Sequence, residues 1–182
     1  LRRHPCGVTA MTRPSPLRDP PFALRLALPD AEATSTLGTA LAARLHAGDS
    51  VLLSGGIGAG KSHLARALIR AAQEAAGQPP EEVPSPTFTL VQTYGAGAIE
   101  IVHADLYRLG DASEAVEIGL FDALGRDLCL VEWPDRLGVE APADALCIDL
   151  TPAGDGRTAR LSGPATWRTR LADLSMPGAT AP

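Results

Sequence analysis

One eight-residue segment constrains this chain more than any other. It reads Gly55-Gly56-Ile57-Gly58-Ala59-Gly60-Lys61-Ser62 and fits G-x-x-x-x-G-K-[ST], the pattern of a phosphate-binding loop, or P-loop. The short apolar run 50–54 precedes it, and apolar residues recur at helical spacing after Lys61 until Gly77. Strand, glycine loop and helix in this order are the setting that the motif requires. The alternative, a glycine-rich turn with a solvated lysine, leaves that setting unexplained.

Each part of the segment suits phosphate binding. Glycines let successive backbone N–H groups point at phosphate oxygens, and the helix that follows adds the positive end of its dipole. Lys61, the only lysine of the chain, is predicted to reach the β- and γ-phosphates, and the hydroxyl of Ser62 is predicted to bind Mg²⁺. The predicted phosphate-binding residues are Gly55, Ile57, Gly58, Ala59, Gly60, Lys61 and Ser62.

Length and composition predict one globular domain. The chain has 182 residues, of which 45% are hydrophobic and 20% charged. We expect a disordered extension over residues 1–20 with a possible translation start at Met11, a single domain over 21–174 and a flexible tail over 175–182. Because the net charge is −5, strong binding of nucleic acid by this chain alone is not expected.

The same sequence predicts a cytoplasmic protein without a membrane span. No apolar run reaches the roughly 18 residues that a span needs, and the start of the chain lacks the apolar core of a signal peptide. Cys6, Cys129 and Cys147 form no C-x-x-C or Cys/His cluster. We therefore expect buried free thiols in a reducing compartment rather than a zinc site.

Hydrophobic periodicity predicts alternating strands and helices. Thr34 or Ser35 is expected to cap a first helix that ends at Gly48, and a hairpin is expected around 95–97. Further helices are predicted over 111–118 and 164–174. The predicted strands are 22–28, 50–54, 87–94, 98–103, 128–131, 145–150 and 158–161.

Two carboxylates follow apolar strands, where a P-loop enzyme needs them. Glu132 follows Leu128-Cys129-Leu130-Val131 directly, and Asp105 follows the run 99–104. Parallel sheets present ligands at the carboxyl ends of their strands, so both are candidates for binding Mg²⁺ or orienting water; the alternative is a carboxylate that caps the next turn. Thr87, after two prolines, either senses the terminal phosphate or starts a strand. Trp133 either covers the sheet end or stacks on the nucleotide.

His103 is expected to be structural. It ends the predicted strand 98–103 and is not proposed as a general base.

Several motifs in fixed order resemble the bacterial TsaE (YjeE) family. This family is the small ATPase of tRNA threonylcarbamoyladenosine biosynthesis. The resemblance covers about residues 29–150. Two departures stand out: the family usually reads G-D-L-G-A-G-K-T, whereas this chain has Gly56 for the aspartate and Ser62 for the threonine. The motifs are the P-loop, S-P-T-F-T-L-V at 85–91, H-A-D-L-Y-R-L at 103–109, E-I-G at 117–119 and V-E-W-P-D-R at 131–136.

The resemblance implies an α/β, three-layer P-loop NTPase-like fold with a mixed, mainly parallel central sheet. It implies ATP and Mg²⁺ binding, ATPase activity that is weak alone, and action with the TsaB–TsaD pair on adenosine 37 of tRNA, which the chain meets only through the complex. Carried over by motif, Ser62 and Glu132 would bind Mg²⁺ and Asp105 would assist the metal or the water. Lys61, Asp105 and Glu132 would be catalytic, and Thr87 and Trp133 would lie near the nucleotide.

Two other functions remain open from the residues. A small-molecule P-loop kinase would need an acceptor pocket and an arginine-rich lid; Arg108 and Arg136 are available, but no such lid segment is visible. A guanine-nucleotide switch commonly uses N-K-x-D, which this chain cannot contain because its only lysine is Lys61.

Overall fold

In the described part of the chain, seven strands form one mixed sheet. The computed structural model describes residues 22–110, 112–174 and 176. The strands are β1 (Phe22–Leu28), β2 (Ser50–Ser54), β3 (Val91–Ala96), β4 (Ile99–Asp105), β5 (Leu128–Glu132), β6 (Leu146–Ala153) and β7 (Gly156–Gly163). Their order across the sheet is β1-β7-β6-β2-β5-β4-β3. The predicted extension over 1–20, with its start at Met11, and nearly all of the predicted tail over 175–182 lie outside the described residues.

Parallel strands occupy the centre of this sheet. β6, β2, β5 and β4 run parallel to one another. β3 pairs antiparallel with β4 at one edge, and β7 and β1 pair antiparallel at the other. β2 lies between β5 and β6, so the loop that follows it emerges beside the carboxyl ends of both neighbours, where such sheets bind ligands.

Helices cover both faces of the sheet. The helices are α1 (Ala31–Ala42), α2 (Lys61–Ala75), α3 (Ala112–Glu117), α4 (Leu120–Ala123) and α5 (Thr166–Arg170), and 3₁₀ turns span Pro134–Glu140. Side chains alternate along each strand: Val51 and Leu53 share a core with α1, α2 and α5, whereas Leu52 packs with α4 and the 3₁₀ turns. The predicted three-layer α/β fold with a mixed sheet is confirmed.

The first helix begins earlier than predicted. Asp30, not Thr34 or Ser35, caps α1: its Oδ1 accepts a 2.7 Å hydrogen bond from the N–H of Ala33. The hydroxyls of Thr34 and Ser35 donate instead to carbonyl oxygens four residues earlier, within the helix. A residue caps a helix through its side chain only where its own backbone is extended, and of these three residues only Asp30 has that conformation.

Segments near the site also differ from prediction. β3 begins at Val91 rather than Thr87, because residues 87–90 form a turn in which the N–H of Leu90 donates to the carbonyl of Pro86 at 2.6 Å. The predicted hairpin is present, with β3 and β4 paired antiparallel. The last helix spans only Thr166–Arg170, and α4 and the 3₁₀ turns were not predicted. Asp111, the first residue of the predicted helix 111–118, lies outside the described residues.

The cysteines follow the prediction in part. Cys129 is a free, buried thiol of β5, as expected. Cys147 is disulfide-bonded, so the prediction of a free thiol there is wrong. Sequence spacing does not reveal which thiols a fold brings together. Within the described residues, no helix combines the length and the apolar character needed to cross a membrane.

Candidate functional site

The loop between β2 and α2 has the backbone that its glycines allow. Gly55 has φ of +134°, and a Cβ added there would lie 2.4 Å from the carbonyl oxygen of Leu150 in β6. Gly60, the N-cap of α2, has φ of +105°. A Cβ at Gly56, by contrast, would have no heavy atom within 4 Å. The loop is thus pressed against β6 at its first glycine and open at its second.

The ammonium group of Lys61 is folded over this loop. Its Nζ donates hydrogen bonds of 2.8 Å to the carbonyl oxygens of Gly55 and Gly56 and lies 4.0 Å from the ring centroid of Trp133. The residue is only 5% exposed. Burial lowers the pKa of Lys61 below its ordinary value, and three nearby carboxylates, Glu132 foremost, oppose that shift. Carbonyl oxygens and an aromatic face both favour the charged ammonium.

A row of oxygen atoms joins the start of α2 to the ends of β5 and β4. The hydroxyl of Ser62 lies 3.0 Å from Oε2 of Glu132 and 3.3 Å from the hydroxyl of Ser85. The Ser85 hydroxyl lies 2.9 Å from that of Thr87, which donates to Oδ2 of Asp105 at 2.8 Å. Two carboxylates therefore stand at the ends of a row of three hydroxyls.

This row of oxygen atoms has one proton fewer than the number of its contacts. Three hydroxyl protons serve four contacts when both carboxylates are ionised, so one contact lacks a hydrogen bond. The longest contact, between Ser62 and Ser85, is the one most easily left without a proton. Hydroxyl and carboxylate oxygens are ligands of hard cations such as Mg²⁺, and a cation between them would remove the shortage. The residues present therefore fit a magnesium ion.

Such an ion would need ligands beyond the acidic, histidine and cysteine side chains of the described residues. Within the described residues, no group of three or more His, Cys, Asp or Glu side chains could hold a metal. Mg²⁺ commonly keeps several waters and binds one or two carboxylates together with substrate phosphates. The oxygen row next to a P-loop matches that mode of binding.

Glu132 is fixed by a second contact on its other oxygen. Nε2 of His103 lies 2.9 Å from Oε1 of Glu132, and the two side chains are 0% and 2% exposed. Because the carboxylate can only accept, Nε2 carries the proton in this contact. Nδ1 of His103 is buried and has no hydrogen-bond partner among the described residues. The imidazole thus holds one carboxylate oxygen and leaves the other facing Ser62.

Trp133 closes the site with a strained backbone. Its φ of 58° is in the left-handed region, which bulky residues seldom adopt. The indole lies against Tyr107, with ring centroids 4.9 Å apart, and over Lys61. Asp105, which is cross-strand neighbour to Glu132, accepts the N–H of Tyr107 at 3.0 Å. The conformation at the end of β5 therefore directs the ring toward the P-loop.

Comparison with known proteins identifies the family. The family model described as "Threonylcarbamoyl adenosine biosynthesis protein TsaE" matches residues 28–160. The chain belongs to the TsaE family. The fold agrees, because the crystal structure of Bacillus subtilis YdiB is similar with a TM-score of 0.65 and 25% identity, over 86% of this chain and 95% of that one. The predicted family is confirmed.

Individual TsaE proteins show the extent of the similarity. The TsaE of Rickettsia felis is 40% identical over 110 residues, which are 60% of this chain and 62% of that protein. The TsaE of Rickettsia bellii is 35% identical over 69% of this chain and 85% of that protein, and the TsaE of Bacillus subtilis is 34% identical over 68% and 75%. Against the proteins of R. felis and R. conorii, the matched segment spans 62% and 57% of the relative's length.

The structure brings the predicted site residues of this TsaE protein together. Lys61, Ser62 and Trp133 lie in contact or are linked through Glu132, and Thr87 connects Asp105 to the same row. The glycines and Ala59 form the loop itself. The side chain of Ile57 is 79% exposed, so this residue can contribute only its backbone to phosphate binding. The functions assigned to these residues stay predictions.

Three residues at the site were missed. His103 was expected to have a structural role at the strand end, and its contact with Glu132 was not predicted. A strand has a period of two, so the separation of His103 and Asp105 already placed both on one face of β4. Ser85 precedes Thr87 by the same interval. Arg157, which contacts the P-loop from β7, had no local signal because its partners are 98 and 99 residues away.

Proposed function

We propose that this chain binds ATP with Mg²⁺ at the P-loop and hydrolyses it as the ATPase subunit of tRNA N6-threonylcarbamoyladenosine formation, acting with the TsaB–TsaD pair. The observation that carries the proposal is the 3.0 Å contact between the hydroxyl of Ser62 and Oε2 of Glu132. It joins the first turn of α2 to the end of β5, next to the ammonium of Lys61. These are the positions at which P-loop enzymes hold magnesium and phosphate.

The residues of the site have distinct roles in this proposal. The backbone N–H groups of the loop and the ammonium of Lys61 bind the phosphates, and Lys61 must leave its two carbonyl partners to do so. Ser62 and Glu132 hold the metal, with Asp105 assisting. A bound Mg²⁺ supplies neutralising charge to the phosphates. Asp105, whose Oδ2 accepts a hydrogen bond from Thr87, also orients a water molecule in this proposal.

The surroundings of the site support a subunit that works with partners. Phe88, at 85% exposed, and Ile57 leave large apolar side chains in solvent on segments that belong to the site. The net charge of −5 favours contact with tRNA through the complex rather than by this chain alone. Hydrolysis that is weak in isolation and rises in the complex is the expected behaviour.

The test is ATP hydrolysis by the purified chain with Mg²⁺, with and without the TsaB–TsaD pair and tRNA from the same organism. We expect a rate that rises with the partners and is abolished in Lys61→Ala. Slow hydrolysis indifferent to the partners would overturn the proposed role in tRNA modification while leaving ATP binding in place. Phosphate transfer to a small molecule instead of water would favour a kinase.

A further inference from the structure

The hairpin formed by β6 and β7 contacts the P-loop through the side chain of one arginine. β6 and β7 are joined by the two-residue turn Gly154-Asp155, and Arg157 follows at the start of β7, paired with Pro152 of β6 and Leu28 of β1. The carbonyl of Leu150 in the same hairpin already limits Gly55 sterically. The hairpin therefore forms the wall against which the loop rests.

The guanidinium of Arg157 binds two successive carbonyls of the loop. Nε donates to the carbonyl oxygen of Ala59 at 3.1 Å, and Nη2 donates to that of Gly58 at 3.2 Å. Nη1 donates to the carbonyl of Gly156 at 2.8 Å, which fixes the guanidinium to its own strand. A planar fork suits two acceptors at once, whereas the ammonium of a lysine does not.

The contact of Arg157 with these carbonyls fixes the orientation of a backbone N–H group on the opposite side of the loop. In a trans peptide the carbonyl and the N–H of the next residue point in opposite directions, and no peptide bond in the described residues is cis. The N–H of Ala59 is used within the loop, where it donates to the carbonyl of Gly56 at 3.2 Å. Holding the carbonyl of Ala59 outward therefore directs the N–H of Gly60 away from Arg157, into the loop.

The charge of Arg157 is also available to the loop. Among the described residues, no carboxylate lies within ion-pairing distance of its guanidinium. Its hydrogen bonds to the two carbonyls are charge-assisted, and they polarise the peptide groups whose N–H atoms face the other way. Both effects strengthen anion binding at the concave side of the loop.

We propose that Arg157 is a positioning residue that holds the P-loop in its phosphate-binding conformation from outside, a role that rests on the proposed nucleotide binding. It acts through the peptide groups 58–59 and 59–60 and does not touch the nucleotide. Its removal affects the affinity for nucleotide phosphates more than the rate of hydrolysis at saturation.

The experiment compares Arg157→Met, Arg157→Lys and the control Arg160→Met with the unchanged chain. Arg157→Met keeps the aliphatic stem without donors, and Arg157→Lys keeps the charge without the fork. Arg160 lies three residues along the same strand, is exposed and has no contact with the loop. Fluorescent ADP and ATP titrations give Kd, partner-stimulated hydrolysis gives kcat, and backbone NMR of the nucleotide-free protein reports the amide of Gly60.

We expect both Arg157 variants to weaken binding about 10-fold or more while kcat changes by less than about 2-fold. The amide resonance of Gly60 shifts in both Arg157 variants. Arg160→Met leaves Kd, kcat and this resonance unchanged. Wild-type affinity in Arg157→Lys with weak binding in Arg157→Met would show that charge alone matters and overturn positioning by the fork. Unchanged Kd in both would also overturn it.

Failure of the proposed function would look different. If the unchanged chain binds no nucleotide, the proposed ATPase is wrong, and the Gly60 resonance still reports whether Arg157 orders the loop. If the unchanged chain binds nucleotide and all variants bind it equally, the proposed nucleotide binding is supported and the proposed role of Arg157 is wrong. Thermal unfolding of each variant separates loop effects from global destabilisation.

Discussion

Nε2 of His103 in β4 lies 2.9 Å from Oε1 of Glu132 in β5, and both side chains are buried from solvent. The two carboxylate oxygens of Glu132 therefore have different partners. One is occupied by the imidazole, and the other faces Ser62, where the proposed metal is held. An outer partner of this kind orients a metal ligand and tunes its affinity.

Replacing His103 with leucine tests that division. In His103→Leu, Oε1 of Glu132 loses its donor and the carboxylate is free to rotate. The Mg²⁺ concentration for half-maximal nucleotide binding should rise roughly 10- to 100-fold. Mg²⁺ titrations at fixed nucleotide measure this, and His103→Gln, whose amide can still donate, should be less affected. The same Mg²⁺ requirement in His103→Leu and wild type would contradict the assignment.

Glu132→Gln should separate binding from hydrolysis. The amide keeps the shape of the side chain but removes the charge that is proposed to bind the metal. Hydrolysis in the presence of the partners should fall roughly 100-fold or more, the scale on which such groups act. Nucleotide binding should remain measurable in the same titrations, because the loop and Lys61 are intact. Wild-type turnover in this variant would remove Glu132 from the site.

Substitution by alanine should be damaging at one of two neighbouring glycines and nearly neutral at the other. In Gly55→Ala the new Cβ meets the carbonyl of Leu150 at 2.4 Å, and φ is +134°. In Gly56→Ala the Cβ meets nothing within 4 Å. We expect Gly55→Ala to lower the free energy of unfolding by about 1–3 kcal/mol and to impair nucleotide binding, with Gly56→Ala close to wild type. Urea unfolding checks both, and equal effects would contradict the described loop.

The open space at Gly56 also bears on the aspartate that the resemblance to the family led us to expect there. A Cβ built at this position meets no heavy atom within 4 Å, and Gly56 is not among the residues with positive φ. Gly56→Asp should therefore fold normally.

Trp133 should report nucleotide binding by fluorescence. The chain has only two tryptophans, and the ring of Trp133 lies 4.0 Å from the ammonium of Lys61. When Lys61 turns to the phosphates the charge leaves the ring, and the emission should change. The change should be lost in Trp133→Phe and retained in Trp167→Phe, which replaces the buried tryptophan of α5. A signal that persists in Trp133→Phe would show that it comes from Trp167 and not from the loss of the contact between Lys61 and Trp133.

Alkaline pH should destabilise the fold through Cys129. Burial raises the pKa of its thiol from 9.0 to about 12. Above about pH 9 the unfolded chain has lost this proton while the folded protein keeps it, so stability falls as pH rises toward 12. The loss is about 1.4 kcal/mol per pH unit within that window. Burial also raises the pKa of Tyr94, which adds a loss of the same sign.

Urea unfolding at several alkaline pH values measures this slope. Cys129→Ala removes the thiol, so the free energy of unfolding should fall less steeply with pH than in wild type. Identical slopes in the two proteins would show that the thiol of Cys129 does not contribute.

The parts of the site that sequence predicted are those with local patterns. The P-loop, β2 and α2 have distinct periods and a fixed motif. Asp105 and Glu132 end neighbouring parallel strands, so the general rule for such sheets placed them together. The residues that sequence missed act across the fold: Arg157 reaches the loop from another hairpin, and the contact of His103 with Glu132 depends on the register of β4 and β5.

The wrong predictions of the first helix cap and of the start of β3 arose where a local sequence preference allowed more than one structure. Asp30, Thr34 and Ser35 are all residues that cap helices, and the sequence alone does not tell which of them has extended backbone. At 87–90, strand-forming residues adopt a turn, because Thr87 is anchored to Asp105 and Leu90 takes a φ of 66°. Tertiary contacts outweigh intrinsic preference at both places.

The order of strands has a consequence for the synthesis of this protein. β2, which leads into the P-loop, has both of its neighbours, β5 and β6, much later in the chain. A ribosome that has completed the P-loop must therefore add β3, β4 and α3 before either neighbouring strand of β2 exists. Pairings of this separation form slowly. A nascent chain should gain affinity for nucleotide only after β6 has emerged, and incomplete chains should expose β2 to chaperones and proteases.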